Sequence, residues 1–335
     1  MDRPIPDRER FSGCLIGQCL GDALGFPVEG CTPAVCDEYV CGCLKPIGAA
    51  REPALPAAIG QYTDDSQLAR ELMQSYVQLG RFDPSDYAER IAAIFREDRI
   101  VGRGRATEEA AQRLNQGVPW TEAGTPPPSA GNGSAMRAAP IGLMFWDDVE
   151  AMIASAHDQG RITHQDPRCS AGAVAVSGAV ALGLQGEADL EAWAGQLSSW
   201  VMDLDPTLAD GIRRLADLTD APPEQSLSVI STLGRSSDYD NGWEGISPFV
   251  TGSVLWSLYS FFRHPEDYWA TLCTAIAVGG DVDTTAAMAG AISGAYLCLD
   301  ALPLDLAARL TDRGTWRLSE LVSLADRCHA VKHSL

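Results

Sequence analysis

Two acidic clusters in this chain have the composition of a hard-cation site. One is Tyr62-Thr63-Asp64-Asp65-Ser66; the other, far downstream, is Gly279-Gly280-Asp281-Val282-Asp283-Thr284-Thr285. Each opens a helical pattern, where a single Asp is ordinarily a cap for free backbone N–H groups, favoured also by the helix dipole. Capping uses one acid. Here each cluster supplies two acids and a hydroxyl, and neighbouring glycines let backbone approach closely. Carboxylate and hydroxyl oxygens suit Mg²⁺ or Mn²⁺ and not zinc. If the clusters meet in space, they can hold two such ions.

Three further segments carry functional groups. In Gly21-Asp22-Ala23-Leu24-Gly25-Phe26-Pro27-Val28-Glu29 an apolar helix breaks at Gly25 and Pro27, and an isolated carboxylate follows. Gly131-Asn132-Gly133-Ser134-Ala135-Met136-Arg137 is a glycine-rich turn leading into an apolar segment, well made for presenting N–H groups to an anion. Thr163-His164-Gln165-Asp166-Pro167 precedes an Ala-rich stretch. Taken singly these have ordinary explanations: a surface acid, a turn, a hydrogen-bonded structural histidine.

The elements that must position these groups read as helices almost everywhere. Residues 64 to 80 place Leu68, Leu72, Met73, Tyr76 and Leu79 at three- and four-residue spacings, with Thr63 as N-cap and Gly80 as stop. Residues 84 to 96 repeat the scheme with Pro84 in the first turn and Tyr87, Ile91, Ile94 and Phe95 on one face. Further helices are expected near 107 to 116, 147 to 159, 168 to 184, 188 to 203, 206 to 219, 224 to 233, 249 to 263, 266 to 278, 283 to 299 and 303 to 330. Strand-like alternation is scarce. No repeat or long linker divides the chain, and residues 125 to 134 make a turn-rich loop rather than a boundary. One large, compact all-α domain spanning 1–335 is therefore expected, although length alone suggests about two. The irregular segment from 30 to 62 is expected to be a long functional loop.

Composition limits the partners. Lys+Arg number 25 against 45 Asp+Glu, a net charge of −20, which excludes a generic grip on nucleic-acid phosphate or an anionic membrane. Residues 1 to 11 carry charges and two prolines where a secretory signal needs an apolar run of about 7–15 residues, so a cytoplasmic protein is expected. Two apolar stretches, 170 to 184 and 272 to 299, read as buried helices. The first is shorter than the roughly 20 residues of a span, and the second carries Asp281 and Asp283. Cys31, Cys36, Cys41 and Cys43 match no familiar zinc spacing and are expected to be free thiols.

Together, in this order, the motifs resemble the ADP-ribosylglycohydrolase family, which includes the dinitrogenase reductase-activating glycohydrolases. The resemblance runs from GCLIGQCLGDALGFPVEG (13–30) through YTDDSQ (62–67), GRGRAT (102–107), GNGSAMRAAPIGL (131–143) and THQDP (163–167) to GGDVDTTAAMAGAISGA (279–295). It implies a compact all-α domain with two Mg²⁺ ions at the floor of a cleft. By position, Thr63, Asp64 and Asp65 would ligate metal from one side, and Asp281, Asp283 and Thr284 from the other. Glu29 would be the mobile acid near the metals, acting with Asp64 and Asp283 as the catalytic carboxylates. Gly102, Gly104, Asn132, Gly133, Ser134, Met136, Arg137 and His164 would meet the ADP-ribose. Arg103 stands where relatives often have an aromatic, a departure that bears on substrate detail and not on the metal ligands.

The implied reaction is hydrolysis of the bond between C1 of the distal ribose and an acceptor, which passes through an oxocarbenium-like state. Arginine is the first-choice acceptor, with ADP-ribosyl-serine and O-acetyl-ADP-ribose as alternatives. The acidic segment Ser237-Asp238-Tyr239-Asp240-Asn241-Gly242-Trp243-Glu244 is a candidate to meet a guanidinium. Two rivals differ in kind. A Mg²⁺-dependent phosphohydrolase would release AMP instead of ADP-ribose. A metal-free, crystallin-like relative would have lost ligands, whereas all six positions here keep oxygen-bearing side chains.

Overall fold

The computed structural model describes residues 5–48, 59–186, 189–235 and 242–334. The helices that matter for the site are α1 (Arg8–Gly25), α2 (Asp64–Leu79), α3 (Pro84–Arg96), α4 (Arg105–Asn115), α5 (Val149–Arg161), α6 (Pro167–Gly183), α7 (Val250–Arg263), α8 (Tyr268–Ile276), α9 (Val282–Leu297) and α10 (Leu318–Ser334). Among the described residues there is no sheet, only isolated bridges such as Thr125 with His164 and Ile246 with Gly280. The all-α expectation holds. No helix there is long and apolar enough to cross a membrane.

Helix α1 explains how the site is built. It starts where Asp7 accepts from the Glu9 N–H at 3.0 Å, and from Phe11 to Gly25 every residue is buried. Gly13, Gly17, Gly21 and Gly25 recur every fourth residue, so they form one stripe along the helix. That stripe lies against α9 at backbone contact. A Cβ on Gly17 would stand 2.3 Å from the Gly290 carbonyl oxygen, and one on Gly21 would stand 2.0 Å from that of Ala286. Any side chain there would force the helices apart. The close approach sets the C-terminal end of α1 beside the N-terminal end of α9. Helix α6, also wholly buried from Cys169 to Gly183, packs on α5, α7 and α9, and the buried apolar side chains join into one cluster from Phe11 to Cys328.

Three expectations are corrected. The 303 to 330 helix is interrupted: a short turn of helix, Leu304–Ala307, is followed by irregular chain before α10 begins. There Arg313 and Gly314 take φ of 48° and 93° in a tight turn closed by Asp312 and Thr315, whose N–H groups donate to each other's carbonyls at 2.7 and 2.9 Å, and the Asp312 carboxylate meets the Arg70 guanidinium of α2 at 2.6 Å. The 206 to 219 helix divides at Arg214 into Pro206–Arg213 and Leu215–Asp220. The 30 to 62 segment is not all loop. Pro33–Tyr39 is helical and continues through a widened turn, Val40–Leu44, into Lys45–Gly48. Tyr39 Oη donates to the Leu24 carbonyl at 3.1 Å and Trp269 Nε1 to that of Leu44 at 3.0 Å, anchoring it. Residues 49–58 lie outside the described residues.

Candidate active site

The ends of α1, α2 and α9 bring the acids of three distant segments together. Oxygens of Asp22, Asp65 and Asp283 lie within 4.8 Å of one another, and so do those of Glu29, Asp281 and Asp283. Asp283 belongs to both groups, so two adjacent triplets share one carboxylate. Thr63, Asp64 and Thr284 complete the same surface of the cleft. Asp64 stands outside both triplets, its carboxylate beside Gly102 and Gly104.

Thr63 is at the N-cap position of α2, but its side chain does not cap. Asp22 does that work: buried under the helix, it accepts from the N–H groups of Thr63 at 3.0 Å and Ser66 at 3.1 Å. The Thr63 hydroxyl lies 2.9 Å from Asp22 Oδ1 and 3.0 Å from Asp65 Oδ2. A hydroxyl has one proton, so one of these oxygen contacts is left without a donor. Asp65 Oδ1 is buried and has no hydrogen-bond partner among the described residues.

Electrostatics give the same picture. Burial pushes Asp64 up to about 6 and Asp22 up to about 7, the latter against hydrogen bonds from Ser66 and Thr63 that favour its charged form. Asp65 and Asp283 are raised well above the usual carboxylate range, first by burial and then by repulsion from neighbouring acids. Glu29 is exposed as a residue, yet its carboxyl end points at the acidic floor. Desolvation there, with Asp281 and Asp64 adding repulsion, moves it up to about 7. Carboxylates this close and this dry are costly unless a cation compensates them. An orphaned carboxylate oxygen and an all-oxygen donor set fit a hard divalent cation.

The cleft over this floor has a volume of about 650 Å³, the size of a site for a nucleotide-sized ligand. Gly102, Gly104, Asn132, Gly133, Met136 and His164 line it, as expected of their segments. Gly102 has φ +75°, and a Cβ there would stand 2.6 Å from Asp64 Oδ1, so only glycine fits beside that acid. Asn132 Nδ2 donates to Asp281 Oδ2 at 2.6 Å and to Ser253 Oγ at 3.0 Å, fixing the carboxylate's orientation. Arg103, Arg105, Glu109 and Trp243 form the outer lining. Arg103 is paired with Asp98 and Glu108.

Ser134 and Arg137 are not part of that lining. Ser134 Oγ donates to the Cys169 carbonyl at 2.9 Å. Arg137 is fully buried behind the loop, donating to Gln159 and Thr163. Residues 237–241 of the acidic stretch lie outside the described residues; of the remainder, Trp243 reaches the cleft and Glu244 is exposed. The thiols of Cys31, Cys36, Cys41 and Cys43 are free.

A model of the family described as ADP-ribosylglycohydrolase matches residues 3–334. The chain belongs to the ADP-ribosylglycohydrolase family. It is therefore a glycosidic-bond hydrolase by family. The chain is 31% identical over 333 residues to "ADP-ribosylhydrolase ARH3" of Gallus gallus, covering 90% of this chain and 89% of that one. It is 25% identical to "ADP-ribosylarginine hydrolase Tri1" of Pseudomonas putida, covering 88% and 72%. A solved "ADP-ribosylglycohydrolase-related protein complex" superposes with a TM-score of 0.70 at 27% identity, covering 97% of this chain and 98% of that one.

Sequence reasoning missed two residues of this glycohydrolase site. Asp22 lies in the Gly21–Glu29 segment, where only Glu29 stands out as an isolated carboxylate. Gln18, one turn earlier, donates through Nε2 to the carbonyls of Asp65 at 3.0 Å and Met136 at 2.9 Å, tying the acidic floor to the glycine-rich loop. The signal was present: a carboxylate and an amide inside an otherwise apolar helix must find buried partners.

Proposed function

We propose that this chain hydrolyses the glycosidic bond between C1 of the distal ribose of ADP-ribose and an acceptor, with protein ADP-ribosyl-arginine as the acceptor class, in the cytoplasm. The observation that carries the reading is the convergence of Asp22, Glu29, Asp65, Asp281 and Asp283 under a cleft walled by the Gly131–Gly133 turn. Two divalent cations, Mg²⁺ or Mn²⁺, fit the paired triplets. Asp22, Asp65 and Asp283 would hold one, and Glu29, Asp281 and Asp283 the other, with Thr63, Asp64 and Thr284 at their margins. Such ions supply positive charge and Lewis acidity at the ribose hydroxyls.

The chain's own residues do the rest. When it is free of the cation, Glu29, the exposed acid of the floor, is placed to take a proton from the attacking water and to return one to the leaving group. Asn132 holds Asp281 in one orientation, so the floor does not have to reorganise as positive charge develops on the ribose. Gly131 and Gly133 leave room for close approach of the ligand to backbone. Arginine as acceptor is supported by the likeness to the ADP-ribosylarginine hydrolase of Pseudomonas putida and by the outer lining. There Glu109, paired with Arg105 at 2.9 Å, and the Trp243 ring supply an acid and an aromatic face of the kind that suit a planar guanidinium.

The test is product analysis with arginine-, serine- and acetyl-linked ADP-ribose. Free ADP-ribose from the arginine conjugate, stopped by EDTA and restored by Mg²⁺ or Mn²⁺, is the expected result. Asp64→Ala and Asp283→Ala should abolish release while the protein stays folded by circular dichroism. AMP as the product, or full turnover in chelator, would sink the proposal.

A further inference from the structure

His164 sits in the cleft wall with one ring nitrogen engaged and the other facing the ligand space. Nδ1 lies 2.7 Å from Thr163 Oγ1. No hydrogen bond to Nε2 is found among the described residues, and the ring lines the cleft. Gly133 leaves the ring its room, since a Cβ at that position would stand 2.7 Å from Cε1. Which nitrogen carries the proton follows from the groups behind the ring.

Arg137 Nη2 donates to Thr163 Oγ1 at 2.8 Å and to the Gln159 carbonyl at 2.9 Å. Arg137 Nε donates to Gln159 Oε1 at 3.0 Å, and Gln159 Nε2 donates to the Ser134 carbonyl at 2.8 Å. Guanidinium has donors and no acceptor, so the Thr163 oxygen must accept from it. The Thr163 hydroxyl keeps one proton, and the neighbour within reach is His164 Nδ1. Were Nδ1 itself protonated, the ring would donate to Thr163 and the hydroxyl proton would be buried without an acceptor. That is the costlier arrangement in a site where all four side chains are buried.

We propose that Arg137 and Thr163 are positioning residues that fix His164 as its Nε2–H tautomer, giving the cleft a permanent N–H donor for an acceptor oxygen of the ligand. Naming that oxygen as one of ADP-ribose rests on the function proposed above; the tautomer does not. Arg137, which had been expected to meet the ligand itself, would act through Thr163 instead. Burial and the nearby guanidinium keep the ring neutral, holding it down at about 3, so it does not act as a proton carrier near neutral pH.

Long-range ¹H–¹⁵N correlation spectra of the ¹⁵N-histidine-labelled protein test this directly, with the His164→Asn spectrum used to identify the ring among five histidines. The expected wild-type pattern is a pyridine-like Nδ1 and a pyrrole-like Nε2. Thr163→Val should move the ring toward the Nδ1–H form, and Thr163→Ser should restore the wild-type pattern. In turnover, Thr163→Val should raise KM about five- to tenfold, the loss of about one hydrogen bond, with kcat within about twofold and Thr163→Ser again near wild type. A protonated Nδ1 in the wild type, or a Thr163→Val spectrum identical to wild type, overturns the inference. If the tautomer is as stated but its Nε2–H signal does not move on adding ADP-ribose, the ligand reading fails and the relay stands.

Discussion

At the scale of single residues, the site depends on what stands beside each carboxylate as much as on the carboxylates. Gly102 is the sharpest case. A methyl at that position would meet Asp64 Oδ1 at 2.6 Å on a backbone already at φ +75°, so Gly102→Ala must displace the acid, the turn or both. Turnover should fall about 10- to 100-fold, the usual range for a residue that orients a ligand group, measured as ADP-ribose release; unchanged release would contradict the geometry. His164 makes a second claim, about stability. Its folded value near 3 is below the ordinary imidazole value of about 6.5. As pH falls below that ordinary value, unfolded chains bind a proton that the folded ring refuses. The stability the neutral ring contributes is thus present above about pH 6.5 and lost as pH falls toward 3. The Tm gap between wild type and His164→Asn, followed from pH 7.5 to 5, should shift against the wild type. A gap constant with pH would show that the ring titrates normally.

At the scale of elements, the site is an outcome of one helix pair. Asp22 on α1 and Asp283 on α9 share a triplet because the glycine stripe lets the two backbones touch. Gly17→Ala puts a Cβ 2.3 Å from the Gly290 carbonyl, and overpacking of this kind costs about 1–3 kcal/mol, a fall in Tm of several degrees. Because the carboxylates move with the helices, divalent-cation affinity should weaken along with Tm. Calorimetric titration with Mn²⁺ checks the pair of effects, and a variant that loses Tm yet binds the cation as wild type would separate packing from site. Element boundaries also show where periodicity was a sufficient guide. Residues 84 to 96 are helical as expected because Pro84, the apolar face and the Asp83 cap all agree, with Asp83 accepting from Ser85 N–H at 3.0 Å. The 303 to 330 segment failed because its apolar spacing competes with a buried ion pair, Arg70 with Asp312, that no local pattern encodes.

At the scale of the whole molecule, a chain of net charge −20 buries Asp22, Asp64, Asp65, Asp281 and Asp283 together, where solvent screens them little. Arg137, a buried cation hydrogen-bonded to neutral partners, offsets part of that field from behind the loop. Divalent ions that bind only the folded state stabilise it by mass action, about 2.7 kcal/mol at a hundredfold excess over Kd. EDTA-stripped protein should therefore gain several degrees of Tm on adding Mg²⁺ or Mn²⁺. NaCl at equal ionic strength should give a smaller gain, since it screens the surface and leaves the buried acids unpaired. Equal gains from both salts would argue that the acids are not a cation site.

The sequence by itself determined the helical class, through apolar spacing, and most of the cleft lining, through acids, glycines and amides in an order too specific for capping and turns alone. It also brought Asp64, Asp65, Asp281 and Asp283 forward as a set, to which the family resemblance added Glu29. Only the tertiary structure decided which acids face one another. Asp22 joins a triplet, and Asp64 stands outside both, because carboxylate geometry is set by helix packing across distant segments, which periodicity does not record. The same reason separates Arg137 and Ser134 from the lining. On the glycine-rich loop they look like ligands, but the side of the loop on which a side chain emerges depends on the helices behind it.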